Sequence, residues 1–233
     1  MNGWVDRTVG ELVLERPSRS KVFEKVGLDY CCKGHEALAK ACADKGLEVG
    51  IVVQALEALE TSPEPLEFDT WKESVPALVE HLVSTHHAYT KEALPRLMFL
   101  AEKVARVHGP EDTRLIELRN AFEIFLQETV EHLQKEEMIL FPMCLGIAAG
   151  QAAGHCGSVS MPIGRMEYEH VKHGANLELF RELTDGYLPP AHACNTYRAL
   201  LDGLHELEQD LHRHIHKENH LLFPWVQKLE QAI

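Results

Sequence analysis

The chain has 233 residues, 45% of them hydrophobic, which suffices to bury one large core or a large core and a small one. Its formal net charge of -13 at pH 7 argues against nucleic acid as a partner, because neutralising phosphates requires clustered Lys and Arg. No leader pattern opens the chain and no apolar run reaches the roughly 18 residues of a membrane span, so we expect a cytoplasmic protein without a membrane partner.

Residues 1–60 are predicted to form a small helical domain. Its four predicted helices run from Thr8 to Glu15, Ser20 to Val26, Glu36 to Lys45 and Val49 to Leu59. Gly27 and Gly46 follow two of these helices at positions where a left-handed C-cap is favoured. The stretch 61–69 contains two prolines and no periodic apolar pattern, so it is predicted to be a linker.

Two adjacent thiols, Cys31 and Cys32, are the chemically distinctive feature of this domain. Adjacent cysteines cannot form an unstrained disulfide, so the pair suits transient redox chemistry, metal contact or nitrosation. The alternative is that both are ordinary small residues in a helical turn. The six cysteines of the whole chain are too few and too irregularly spaced for a disulfide scaffold, which agrees with a reducing compartment.

Residues 70–233 are predicted to form a bundle of four long helices, and the fold class is all-α because no stretch alternates as a strand would. The predicted helices run from about Thr70 to Val107, Glu111 to Leu145, Pro162 to Asp185 and His192 to Leu229. Gly and Pro residues mark the breaks between them, and 146–164 is a predicted crossover loop. Fifteen histidines are an anomaly here, since helix packing gives no reason to use so many.

The second and fourth helices carry two copies of the motif H-x-x-K-E-x-x-x-L-F-P. The segment from His132 to Pro142 returns 82 positions later as the segment from His214 to Pro224. Residues four apart share one face of a helix, so each copy directs an imidazole and a carboxylate into the same space. Two such helices facing each other would present two nitrogen ligands and two carboxylates able to bridge metal ions.

These side chains interrupt stripes of apolar residues that are predicted to face the bundle interior. The stripe of the second helix is Leu118, Phe122, Phe125, Thr129, His132, Glu136, Ile139 and Met143. The stripe of the fourth helix is Leu200, Leu204, Leu207, Leu211, His214, Glu218, Leu221 and Trp225. Two buried carboxylates facing each other are costly unless cations neutralise them, so the pattern predicts a paired metal site.

One inward histidine on each of the other two helices completes the predicted set. His170 precedes His214 by 44 residues, and His87 precedes His132 by 45. A lone histidine on an apolar face is more often a packed core residue than a ligand, but the duplicated pattern favours ligation. Four His and two bridging Glu would give each metal ion two nitrogens and an oxygen from each carboxylate.

The other histidines of the fourth helix are interpreted differently. His212, His216 and His220 point away from His214 by the 3.6-residue repeat, so they are predicted to form a solvated face.

The first helix offers alternatives to His87. His81 and His86 are close by, so the choice of His87 depends on the alignment of the apolar stripes and on the resemblance given below. His108 lies about 30 Å farther along a continuous helix, so it is left out of the ligand set.

The segment from Asp29 to Gly34 with its Cys-Cys pair, the segment from Met166 to His170, and both copies of the motif resemble the iron-sulfur cluster repair di-iron proteins, the RIC family. The resemblance covers almost the whole chain. It implies an ScdA-like N-terminal domain followed by a hemerythrin-like four-helix bundle that holds two non-haem iron ions with an oxo or hydroxo bridge. The positions that match the family's ligands are His87, His132, Glu136, His170, His214 and Glu218.

The resemblance implies repair or protection of iron-sulfur clusters under nitrosative or oxidative stress, with damaged iron-sulfur proteins as partners. Two mechanisms fit: donation of iron from the centre, or reduction of nitric oxide there, which would make the protein an enzyme. Cys31 and Cys32 would then act as redox or iron-relay thiols. A sensor that binds nitric oxide or oxygen reversibly and a structural bundle without metal are the alternatives. A homodimer is compatible with the sequence.

Overall fold

The computed structural model describes residues 3–61, 72–151 and 157–233, and the regular elements in these ranges are helical apart from an isolated bridge between Thr8 and Ala37. The predicted all-α class is therefore confirmed. Apart from Thr61, the predicted linker at 61–69 lies outside the described residues. None of the described helices is both long enough and apolar enough to cross a membrane.

The N-terminal helices are short. They are α1 (Val9–Glu15), α2 (Ser20–Val26), α3 (Leu38–Asp44) and α4 (Val49–Glu60). Thr8 begins α1 with a capping box, in which Thr8 and Glu11 each accept the backbone N–H of the other. Gly27 and Gly46 have φ angles of 69° and 66°, as the sequence predicts for left-handed C-caps. The core of this unit includes Leu12, Phe23, Tyr30, Leu38 and Leu56.

Four long helices form the bundle, and three of them contain a π-helical turn. The first consists of α5 (Val75–His81), π1 (Leu82–His87) and α6 (Ala88–His108). The second consists of α7 (Arg114–Lys135), π2 (Glu136–Leu140) and α8 (Phe141–Ala148). The third is α9 (Ser160–Leu183), and the fourth consists of α10 (Asn195–Lys217), π3 (Glu218–Leu222) and α11 (Phe223–Glu230). Helix α6 packs against α7 and α10, and α7 packs against α9.

The π turns of the second and fourth helices each end just before a Phe-Pro pair. Proline has no N–H for the carbonyl four residues earlier, and its ring crowds that carbonyl in a regular helix. The N–H groups of Phe141 and Phe223 bond the carbonyls of Glu136 and Glu218, five residues back. Each turn therefore adds one residue to the helical repeat directly after the glutamate of the motif.

This extra residue makes the predicted apolar stripes wrong beyond the glutamates. Ile139, predicted to face inward, is 55% exposed, and its neighbour Leu140 is buried instead. In the fourth helix Leu222 is fully buried, whereas Leu221 is only partly covered. The predicted stripes assume 3.6 residues per turn along the whole helix, so they assign the residues after a π turn to the wrong face.

The interior of the bundle contains two apolar clusters with a polar layer between them. One cluster includes Leu97, Phe122, Phe125, Phe180 and Leu207. The other includes Leu78, Leu82, Leu140, Met166 and Phe223. On every bundle helix, the predicted ligands lie along the chain between a residue of one cluster and a residue of the other. Charges in this layer are poorly screened, because apolar side chains exclude water on both sides.

The small domain packs on the fourth helix through histidines that were predicted to face solvent. His216 Nδ1 donates to the carbonyl of Tyr30 at 3.2 Å, and His220 Nε2 donates to the carbonyl of Cys31 at 2.8 Å. The ring of His212 lies edge-on to the ring of Tyr30, with 6.0 Å between their centroids. The prediction of a solvated face was wrong because the pattern of one helix does not reveal what another domain covers.

Gly34→Ala should weaken this contact, because a Cβ atom there would overlap the His220 ring and the carbonyl oxygen of Tyr30. We expect a loss of about 1–3 kcal/mol in the free energy of unfolding, measured with denaturant. The control is Gly50→Ala in α4, where a Cβ atom meets nothing within 4 Å and should stabilise by about 0.5–1 kcal/mol. A Gly34→Ala protein as stable as the wild type would contradict the described packing.

Candidate metal centre

All six predicted ligands meet in the polar layer, and none is more than 2% exposed. Each of the four helices contributes one histidine, and the first residues of π2 and π3 contribute the glutamates. Two groups of ligand atoms result, and they share Glu136 and Glu218. Group 1 adds His87 and His214, and group 2 adds His132 and His170.

The distances within each group suit one metal ion. The two Nε2 atoms are 3.2 Å apart in group 1 and 3.1 Å apart in group 2. Two imidazole nitrogens bound at right angles to one ion at about 2.1 Å would lie about 3 Å apart. The structure therefore pairs His87 with His214 and His132 with His170, across the two helical hairpins, whereas the sequence spacing related His87 to His132 and His170 to His214.

Each carboxylate reaches both groups with different oxygens. Glu136 Oε1 lies 3.1 Å from His132 Nε2, and Glu136 Oε2 lies 3.4 Å from His87 Nε2. Glu218 Oε1 lies 3.1 Å from His214 Nε2, and Glu218 Oε2 lies 3.2 Å from His170 Nε2. A carboxylate with one oxygen towards each group has the arrangement of a bridging ligand.

The oxygens of Glu136 and Glu218 are buried, and none of the four makes a hydrogen bond within the described part of the chain. Two buried carboxylates in one layer are costly unless positive charge neutralises them. Protons on the neighbouring imidazoles or metal cations bound between the two carboxylates would supply that charge. Imidazole and carboxylate together suit a divalent transition-metal ion, so the residues fit such an ion.

The pKa values of the cluster point the same way. Burial raises the pKa of Glu136, but neighbouring imidazoles, His132 foremost, hold it well below its usual value. Burial lowers the pKa of His170, but Glu136 and Glu218 outweigh burial and raise it well above the usual value. The cluster therefore attracts positive charge, and metal ions would compete there with protons.

Three of the four imidazoles have a hydrogen-bond partner on their outer nitrogen. His87 Nδ1 donates to Glu137 Oε1 at 2.7 Å, and His132 Nδ1 donates to Glu169 Oε2 at 2.9 Å. The side chain of Glu137 pairs with a lysine, and that of Glu169 with a lysine and an arginine; these are Lys91, Lys135 and Arg165. Such partners fix the tautomer and the orientation of a metal-binding imidazole.

The third partner is Asn219, whose Oδ1 accepts from His170 Nδ1 at 2.8 Å. The fourth imidazole, His214, makes no hydrogen bond through Nδ1 within the described residues and stacks on the ring of His86 instead. His86 itself donates to Asp210 at 2.9 Å, so it is turned away from both groups.

These outer partners were not predicted from the sequence, although two of them lie next to predicted ligands in the motif. Glu137 and Asn219 occupy the same position in the two copies of the motif, one residue after the glutamate. The position directly after Glu136 and Glu218 was treated as variable, yet it contacts the histidine of the preceding helix in both copies. Glu169 directly precedes His170 and pairs across the bundle, which no pattern within one helix reveals.

The loop of Cys31 and Cys32 lies against the helix that carries His170. The Cys32 thiol donates to the backbone carbonyl of His170, with 3.3 Å between sulfur and oxygen. Asp29 Oδ1 accepts the backbone N–H groups of both cysteines at 2.9 Å, so the loop is rigidly tied. Asp29, Cys31 and Cys32 together form a third group of atoms that could hold a metal ion. Burial raises the pKa of the Cys31 thiol well above its usual value.

His108, which was left out of the ligand set, lies at the end of α6 beside Cys194. Its Nε2 is 3.5 Å from the sulfur of Cys194, an exposed residue that caps α10. His108 foremost, together with backbone N–H groups at the start of α10, lowers the pKa of the Cys194 thiol to about 7.

The chain matches two families of known proteins. Residues 5–60 match the ScdA_N family, described as a domain of unknown function (DUF542), and residues 78–226 match the hemerythrin HHE cation binding domain. The chain is 38% identical over 220 residues to the iron-sulfur cluster repair protein YtfE of Pectobacterium carotovorum, which covers 94% of this chain and 96% of that protein. The protein of the same name from Yersinia pestis is 38% identical over 219 residues, with the same coverage.

Glu136→Gln should weaken metal binding in both groups, because one oxygen of Glu136 belongs to each. We expect affinity for ferrous iron to fall by more than the 10- to 100-fold typical of removing an outer partner. Titration against a competing chelator measures this, with Glu117→Gln on the exposed face of α7 as the control. If Glu136→Gln binds both ions as tightly as the wild type does, the glutamate is not a bridge.

His108→Gln should raise the pKa of the Cys194 thiol, because the imidazole stabilises the thiolate. Alkylation of Cys194 by iodoacetamide requires the thiolate, so its half-maximal rate should shift from pH about 7 towards the ordinary value of about 8.5. Mass spectrometry of the Cys194 peptide across pH measures the shift, and the metal content should not change. Identical pH profiles for the two proteins would show that the pair does not interact.

Proposed function

The chain belongs to the hemerythrin HHE family and to the family of the iron-sulfur cluster repair proteins, and we propose that it repairs such clusters by donating iron from a non-haem di-iron centre. The finding that supports donation most directly is the position of the Cys31–Cys32 loop against His170. The loop offers sulfur ligands next to a pocket that offers only nitrogen and oxygen.

The proposal places one iron ion in group 1 and the other in group 2, with Glu136 and Glu218 as bridges. Bound iron would supply an exchangeable, redox-active cation with ligand positions that the protein does not fill. The protein supplies four oriented imidazoles, two buried negative charges and a layer from which water is excluded.

The ligand types favour release of iron to sulfur. Imidazole and carboxylate are harder ligands than thiolate and sulfide, so a cluster protein that offers sulfur competes well for ferrous iron. In the proposal Cys31 and Cys32 act as relay thiols, together with Asp29, because these three residues could hold an ion on its way out. Damaged iron-sulfur proteins are the proposed partners.

We also propose that the protein works in the cytoplasm under nitrosative or oxidative stress, which removes iron from exposed clusters. The five cysteines within the described residues are all free thiols, as expected in a reducing compartment. Nitric oxide and oxygen would be small ligands of the same centre. The experiment below distinguishes iron donation from turnover of these ligands.

The test uses an enzyme whose [4Fe–4S] cluster has lost one iron, incubated anaerobically with dithionite and the iron-loaded protein. Recovery of the enzyme's activity should follow loss of iron from the centre. The Cys31→Ser, Cys32→Ser double variant should transfer iron about tenfold more slowly, while Cys194→Ser, an exposed cysteine elsewhere, should transfer at the wild-type rate.

Two results would contradict the proposal. Recovery at the wild-type rate with the double variant would remove the relay role of the thiols. Stoichiometric nitrous oxide from the reduced protein and nitric oxide, without recovery of the damaged enzyme, would identify a nitric oxide reductase in place of an iron donor.

A further inference from the structure

His170 is held at two points by the loop that carries the vicinal thiols. At its ring, Nδ1 donates to Asn219 Oδ1 at 2.8 Å, and Asn219 Nδ2 donates to the carbonyl of Cys31 at 3.3 Å. At its backbone, the carbonyl of His170 accepts the thiol of Cys32 at 3.3 Å. The small domain therefore contacts this candidate ligand both directly and through one side-chain amide.

The other three imidazoles have no such bridge within the described residues. His87 depends on Glu137 and His132 on Glu169, and these two carboxylates pair with cations of the bundle itself. His214 makes no hydrogen bond through its outer nitrogen. Only one of the four candidate nitrogen ligands is thus tied to the position of the thiol loop.

The two copies of the motif differ at the decisive position. Glu137 accepts from His87 through Oε1. Because both oxygens of a carboxylate are acceptors, this hydrogen bond does not depend on any further partner of Glu137. Asn219 is a neutral amide with one acceptor and one donor side, so its orientation towards His170 depends on an acceptor for its NH₂ group. The carbonyl of Cys31 is that acceptor, and losing it would free the amide to turn.

Hydrogen bonds to Asp29 hold the loop in one conformation. Asp29 Oδ1 accepts the backbone N–H groups of Cys31 and Cys32 at 2.9 Å and the Cys31 thiol at 3.1 Å. The carbonyl of Cys31 also accepts from His220 Nε2 at 2.8 Å, which keeps the loop docked on the fourth helix. A displacement of the loop would therefore break the contacts to Asn219 and to the His170 backbone together.

We infer that Asn219 is a positioning residue that couples docking of the Cys31–Cys32 loop to the orientation of His170. The inference rests on the proposed function, because it concerns release from the same centre. An ion bound in group 2 would be held firmly while the loop is docked and would leave faster when the loop is drawn away. An iron-accepting protein that engages the thiols thereby loosens the ion nearest to them, and group 1 keeps its ion.

The test is a double-mutant cycle on the rate at which the ferrous protein loses metal to an excess of chelator. Asp29→Ala removes the three hydrogen bonds that shape the loop. Asn219→Asp keeps the acceptor for His170 but removes the donor to Cys31, so the ring should no longer respond to the loop. Glu137→Gln, at the same position of the other copy, is the matched control.

Asp29→Ala alone should speed the loss of one of the two ions about tenfold, the lower end for removing an outer partner. In the Asn219→Asp background it should change the rate less than about twofold, and in the Glu137→Gln background the tenfold effect should persist. Equal factors in all three backgrounds, or no effect of Asp29→Ala on the wild type, would overturn the inference.

A second measurement on the metal-free proteins guards against variants that load metal poorly. Nitrogen-edited NMR measures how fast the Nδ1 proton of the His170 ring exchanges with water. Asp29→Ala should speed this exchange in the wild-type background but not in the Asn219→Asp background. Unchanged exchange in both backgrounds would also overturn the inference. The rates of metal loss can also be measured with the zinc-loaded protein. If the protein does not donate iron to damaged clusters, the proposed function is wrong, but the coupling between the loop and His170 is still tested by these rates.

Discussion

Two carboxylates buried in one thin polar layer are the constraint on which the rest of the structure depends. Glu136 and Glu218 lie between two apolar clusters, and hydrogen bonds from the described residues do not satisfy their oxygens. This layer requires positive charge, which imidazolium groups or bound metal cations would supply. The four inward histidines, their outer partners and the shape of the helices around them make sense as parts of one cation-binding unit.

Local backbone geometry places these carboxylates. Each glutamate begins a π turn that ends before a Phe-Pro pair, and the turn moves the following apolar residues by one position. The two copies of the motif therefore repeat the π turn as well as the candidate ligands. In each copy the turn places a leucine, Leu140 or Leu222, in the buried interior next to the polar layer. The two copies of the motif differ in the residue that accepts from the outer nitrogen of a histidine. Glu137, the partner of His87, pairs with a lysine of the bundle, whereas Asn219, the partner of His170, contacts the small domain.

The sequence predicted the bundle and the gathering of the six polar residues because both depend mainly on periodicity within single helices, although the choice of His87 over His81 and His86 also depended on the family resemblance. It failed where the answer depends on a change of period or on another element. Ile139 was placed inward because a π turn is invisible to a 3.6-residue repeat, and His216 was placed in solvent because the pattern does not show that Tyr30 covers it. Glu169 was missed for the same reason, since its partner His132 lies on another helix.

The most direct test of the central claim is anomalous X-ray scattering at the iron edge from crystals of the protein loaded with ferrous iron. The account predicts two peaks between Glu136 and Glu218, one beside His87 and His214 and the other beside His132 and His170. A single peak, or none between the two carboxylates, would contradict it.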